Sequence, residues 1–146
     1  MGWPIDMDEI IPGLYQGYRP PQGAALRRAG VRALVLAAEE HQPSARRFPG
    51  VWVLHAPLDD HQRPLSKTEW GRILGAAQFA ARNVLDGRRT LVTCAAGLNR
   101  SGIIDACTVS FLTGLSGAEA VELVQFRRDW ALSNDSFAWQ VARMFP

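Results

Sequence analysis

The chain has 146 residues, a formal net charge of +2 and 47% hydrophobic residues. That length suits a single domain over residues 1–146, and the balance excludes a collagen-like, disordered or disulfide-dense chain. No apolar run approaches the ~20 residues that cross a bilayer, the acidic start from Met1 to Ile10 lacks the basic region of a secretory leader, and two cysteines make no disulfide framework; the expectation is a cytoplasmic monomer in a reducing compartment.

Leu14 to Gly17 follows a Pro12-Gly13 turn and reads as a short strand. Pro21 to Ala29 reads as a helix stopped by Gly30. Val31 to Ala38 is a near-continuous apolar run, the pattern of a strand buried on both faces, and Val51 to Leu54 is a second. Ser66 and Glu69 form a capping box ahead of Trp70, Leu74, Ala77, Ala81 and Val84, which recur at helical spacing up to a Gly87 stop. Thr90 to Thr93 is a third buried strand. Ile104, Cys107 and Phe111 make one stripe of a helix from about Ser101 to Leu112. Ser116 and Glu119 form a second capping box before a helix to about Arg128. Phe137, Val141 and Met144 mark a last helix capped by Ser133 or Asn134. Strand and helix alternate, so the expected fold is α/β, a central, mostly parallel sheet flanked by helices. Ligands of such sheets bind at the carboxyl ends of strands.

At the end of the third buried strand stands Cys94-Ala95-Ala96-Gly97-Leu98-Asn99-Arg100-Ser101-Gly102. A tight turn there directs successive backbone N–H groups of Ala95, Ala96, Gly97, Leu98 and Asn99 toward one centre, an anion nest. The following helix adds the positive end of its dipole. Gly97 supplies the conformational freedom such a turn needs, and Arg100 can hold two oxygens of a phosphate at once. The same field favours thiolate over thiol at Cys94, and a thiolate beneath a bound phosphate is set for in-line attack. For a lone cysteine a buried, inert role is the default; Gly97, Arg100 and Ser101 in register displace that reading.

Cysteine, five residues, arginine, then serine resembles the signature of the cysteine-dependent protein tyrosine phosphatases, specifically the small dual-specificity branch. Glu9 to Gly17, Ala29-Gly30-Val31 with its apolar run, and Asn134 to Val141 are similar to the branch's opening strand, next βα unit and last-helix start. The resemblance covers about Ile5 to Val141. It implies a phosphatase acting on phosphotyrosine and phosphoserine/threonine of proteins through a cysteinyl-phosphate, with no cofactor, no metal and no membrane. Cys94 would be the nucleophile, Arg100 the clamp and Ser101 the hydroxyl that helps sulfur leave. A poor leaving group needs a proton, and the branch keeps its acid in the loop corresponding to Pro57-Leu58-Asp59-Asp60-His61. Asp60 is the first choice, Asp59 the second and His61 a weaker one. The branch usually carries His where this chain has Thr93, which implies a less activated cysteine.

Gly97-Leu98-Asn99-Arg100 is also similar to the RNA 5′-triphosphatases of the same superfamily, so an RNA 5′-triphosphate end is the alternative substrate, against which the small net charge argues. A phosphate-binding module that no longer turns over is the reading from another class, with Thr93 in its favour. A rhodanese-like sulfurtransferase would need a shorter loop. Cys107 is expected in the core, as are the tryptophans. His41, His55 and His61 are expected to be structural or solvent-facing, since no zinc spacing links them to either cysteine. Asp105 is expected to be exposed or locally paired, and Arg63 to be a surface residue.

Overall fold

A computed structural model describes residues 5–146. Five strands form one sheet: β1 (Asp8–Ile11), β2 (Leu14–Gly17), β3 (Val31–Ala38), β4 (Trp52–Leu58) and β5 (Arg89–Thr93), in the order β1-β2-β5-β3-β4. β1 pairs antiparallel with β2, and the other neighbours are parallel. The sheet is therefore mostly parallel, with one hairpin at its edge that turns at Gly13. The helices are α1 (Ala25–Arg28), α2 (Lys67–Leu85), α3 (Arg100–Thr113), α4 (Gly117–Arg127) and α5 (Asp135–Met144). Among the described residues no single helix is long and apolar enough to cross a membrane.

Strand alternation divides the core into two layers. Val35, Ala37 and Val92 face the larger one, built with Ile73, Ile104 and Phe137 of the long helices. Leu34, Leu36 and Leu91 face a smaller one, closed by Leu26 of α1 and Phe48. Each fully buried leucine contributes about 1.5–3 kcal/mol, so the sheet is held from both faces. β5 lies between β2 and β3, and its carboxyl end opens into the segment that leads to α3.

Both capping boxes form: Ser66 and Glu69 at α2, Ser116 and Glu119 at α4, each with side chain and backbone exchanging hydrogen bonds. Asn134 caps α5 by accepting from the Phe137 N–H at 3.1 Å. Other expectations are corrected. The first helix is a single turn, because Gly23, at φ +92°, takes the backbone out of the helical region just before it. β4 is not buried on both faces; it is a sheet edge with Trp52 and His55 exposed. Phe111 is 40% exposed rather than in the core stripe, since α3 buries Arg100 through Ser110 and emerges only at its end. Of the tryptophans, Trp70 packs on the core, Trp52, Trp130 and Trp139 are exposed, and Trp3 lies outside the described residues.

Candidate active site

The segment from Cys94 to Asn99 curls over the end of β5 before Arg100 opens α3. Its shape is imposed from outside. The Gly97 carbonyl accepts from Gln16 Nε2 at 3.0 Å and from Arg128 Nε at 2.7 Å. The Leu98 carbonyl accepts from the Leu132 N–H at 3.0 Å. With those carbonyls bonded outward, the backbone N–H groups of Ala95 to Asn99 make no hydrogen bond among the described residues. Free donors at the start of a helix are what binding an anion requires. Gly97 has φ +69°, and a Cβ there would lie 2.4 Å from the Gly17 carbonyl carbon, so only glycine fits where the loop crosses β2.

Cys94 is 4% exposed, and its Sγ lies 3.3 Å from Ser101 Oγ. Arg100 is also buried. Its Nη1 donates to Glu40 Oε1 and to the Leu58 carbonyl at 3.0 Å, and its Nη2 donates to Glu40 Oε2 at 2.8 Å. A guanidinium has five N–H donors in a rigid fork. Glu40 and Leu58 use three, which leaves Nε–H and one Nη2–H, the pair that suits two oxygens of one phosphate. Arg100 in turn holds the Glu40 carboxyl down at about 2, mainly through that hydrogen bond.

The two aspartates after β4 part ways. Asp60 turns toward the loop: Oδ2 accepts from Asn99 Nδ2 at 2.9 Å and Oδ1 from Asn134 Nδ2 at 2.7 Å. Asp59 points to solvent, with Arg63 3.8 Å away and itself exposed. His61 is tied down at both ring nitrogens. Its Nδ1 accepts from the Arg63 N–H at 3.1 Å, so Nε2 carries the proton and donates to Glu69 Oε2 at 2.6 Å. That bond fastens the acid-bearing loop to the capping box of α2. Thr93 directs its hydroxyl to the Val35 carbonyl at 3.0 Å, away from the loop interior.

Comparison with known proteins agrees with this geometry. No family model matches the chain. Human dual specificity protein phosphatase 12 is 32% identical over 145 residues, taking in 92% of this chain and 40% of that protein. The chain thus spans about two fifths of the length of the curated relatives it matches. The crystal structure of human DUSP28 superposes with a TM-score of 0.73 at 25% identity, covering 97% of this chain and 93% of that one. Over most of its length the chain is similar in sequence and in fold to dual-specificity protein phosphatases. The human tyrosine phosphatase-like serine/threonine/tyrosine-interacting protein reaches a TM-score of 0.77 at 20% identity, over 97% and 96% of the two chains, a likeness of fold alone.

Cys94, Arg100, Ser101, Asp60 and the loop residues Ala95, Ala96, Gly97, Leu98 and Asn99 converge on one place, while Asp59 does not. Several contributors escaped the sequence reading. Gln16 and Arg128 brace the loop, and Arg128 is itself held by Asp6 and Asp8 at 2.6 and 3.0 Å. Glu40 fixes Arg100, and Asn134 fixes Asp60. Only the Asn134 capping signal was visible, and nothing in its spacing tied it to Asp60. Asp105 corrects another expectation: it is neither exposed nor paired. It is fully buried one turn past Ser101, and neither carboxyl oxygen has a hydrogen-bond partner among the described residues. Burial pushes its pKa well up, and the nearby Cys94 adds to that.

Proposed function

We propose that this domain hydrolyses phosphate monoesters on protein side chains through a cysteinyl-phosphate. The observation that carries the reading is the Cys94 sulfur, hydrogen-bonded to Ser101 beneath a ring of unpartnered loop N–H groups, with one free edge of Arg100 beside it. A phosphate dianion in the ring would be held by those donors and by Nε–H and Nη2–H of Arg100. The Cys94 sulfur attacks phosphorus in line, forming P–S as P–O breaks, and protonated Asp60 gives its proton to the leaving oxygen. Asp60 then takes a proton from water, whose oxygen attacks phosphorus. P–S breaks, inorganic phosphate leaves, and Ser101 donates to the departing thiolate. Charge on the equatorial oxygens stays in the ring through both steps, which is electrostatic stabilisation by preorganised donors. The exposure of Ala96 and Asp60 at the rim supports a shallow entrance, open to phosphoserine and phosphothreonine as well as phosphotyrosine.

Phosphate release from a small aryl phosphate, measured with chelator present in the native chain and in Cys94→Ser, tests the reading. Chelator-resistant activity that disappears in the variant supports it. An inert native chain that still binds tungstate tightly would replace it with a phosphate-binding module.

A further inference from the structure

Asn99 stands at the N-cap position of α3, where an asparagine side chain ordinarily accepts from the helix's own first N–H groups. It makes no such bond. At α2, α4 and α5 the caps are used: Ser66, Ser116 and Asn134 each accept from the N–H three residues on. Asn99 instead turns both ends of its amide away from α3. Its Oδ1 accepts from the Asn134 N–H at 2.9 Å, and its Nδ2 donates to Asp60 Oδ2 at 2.9 Å. Asn134 reaches the other carboxyl oxygen. Its Oδ1 is taken by the Phe137 N–H, and its Nδ2 donates to Asp60 Oδ1 at 2.7 Å and to the His61 carbonyl at 2.8 Å. Asn99, Asp60 and Asn134 thus close a triangle of hydrogen bonds between the phosphate loop, the acid loop and the start of α5. The Asp60 carboxyl is within electrostatic reach of Arg100, as are Glu40 and Cys94.

The direction of these bonds has a chemical meaning. Both amides present N–H to Asp60, and neither presents it an acceptor. A proton on Asp60 therefore finds no partner in the triangle and stays available to another oxygen. Once that proton has gone, the carboxylate is the better acceptor, because a hydrogen bond to a charged group is roughly twice as strong as a neutral one. The amides thus hold Asp60 more tightly as its proton departs, and an interaction that strengthens toward the transition state is one that speeds the step. We propose that Asn99, together with Asn134, positions Asp60 for proton transfer: the amide pair fixes the acid beside the phosphate loop, leaves its proton free for the departing oxygen and stabilises the carboxylate that remains. The inference rests on the phosphatase reading above and adds two positioning residues to it. Helix α3 gives up a side-chain cap for this arrangement.

The test compares kcat/KM on two aryl phosphates, one with a poor and one with a good leaving group, in the native chain, Asn99→Ala and Asn134→Ser. Because kcat/KM covers the steps up to departure of the leaving oxygen, it reads Asp60 as acid and not as base. Serine keeps a cap for α5 and removes the amide, so either variant tests the inference if the other fails to fold. Each is expected to lose about tenfold on the poor leaving group, the scale of one hydrogen bond to a charged group, and clearly less on the good one. Inhibition by inorganic phosphate should change little, since the loop donors stay in place. In Asp60→Asn, adding Asn99→Ala should cost little more on the poor leaving group, because the residue it positions no longer carries a proton to give. Equal losses on the two substrates, or phosphate inhibition weakened in step with them, would make Asn99 a brace of the loop and overturn the inference. A loss that multiplies with that of Asp60→Asn would overturn it as well. A native chain inert toward both substrates would remove the phosphatase reading, and this inference with it.

Discussion

Cys94 and Cys107 are both buried, at 4% and 0% exposure, and both belong to the same apolar core. Their surroundings differ in donors, not in depth. Cys107 sits midway along α3, and burial alone pushes its thiol up to about 12. Cys94 lies where β5 ends, beside the Ser101 hydroxyl, the Arg100 guanidinium and a loop whose free N–H groups converge. Burial without donors leaves a thiol inert; burial beside oriented donors is the setting a nucleophilic cysteine needs.

The sharpest way to break that contrast is to exchange the residues. Cys94→Ser is expected to lower kcat toward an aryl phosphate by at least about 10⁴-fold, the scale of losing a covalent nucleophile, whereas Cys107→Ala keeps activity. Alkylation followed by mass spectrometry should label Cys94 in the folded chain and reach Cys107 only after denaturation. The donor set can be tested one step further out. Asp60→Asn should cost about 10²–10³-fold in kcat on a substrate with a poor leaving group, and less on one with a good leaving group. Asp59→Asn should cost less than threefold by comparison (about 0.6 kcal/mol, the scale of an exposed pair). If the two variants lost activity equally, the geometric separation of the aspartates would carry no function.

A smaller effect is expected from the braces. Gln16→Leu removes the donor to the Gly97 carbonyl, and a loosened ring should lose about tenfold in kcat/KM, one hydrogen bond's worth of organisation. Inhibition by inorganic phosphate or tungstate should weaken in parallel; unchanged inhibition would show that the ring does not need this brace. The mildest change concerns Asp105, whose oxygens lack partners. Its pKa is raised in the folded chain, so its favourable contribution is present below the unfolded value near 3.8 and is lost as pH rises through the higher folded value. Asp105→Asn should therefore melt higher than the native chain at neutral pH, by a few degrees for about 1 kcal/mol, with the difference shrinking toward pH 4. A gap that does not change with pH would mean that Asp105 ionises alike in both states.

What the sequence made legible follows from distance along the chain. The loop from Cys94 to Ser101 is a local device, since Cys94, Gly97, Arg100 and Ser101 are close neighbours and their spacing alone brings them together. The strands β3 and β5 and the capped helices α2 and α4 were equally local. Glu40, Gln16 and Arg128 were not, because each reaches the loop from another part of the fold and no local pattern marks a partner. Burial misled in both directions. Asp105 is polar yet enclosed, because α3 is covered on nearly every side, and Trp130 and Trp139 are apolar yet exposed.

Arg128 also has a consequence for how the protein is made. Its guanidinium joins Asp6 to the back of the phosphate loop, a contact between residues 122 positions apart. Closing so long a span costs chain entropy before it returns anything, and contacts of this kind tend to come late. Cys94, Arg100 and Ser101 are thus linked in sequence long before the brace can form behind them. Nascent and half-folded chains would carry the reactive set without its scaffold, so maturation itself acts as the gate on reactivity.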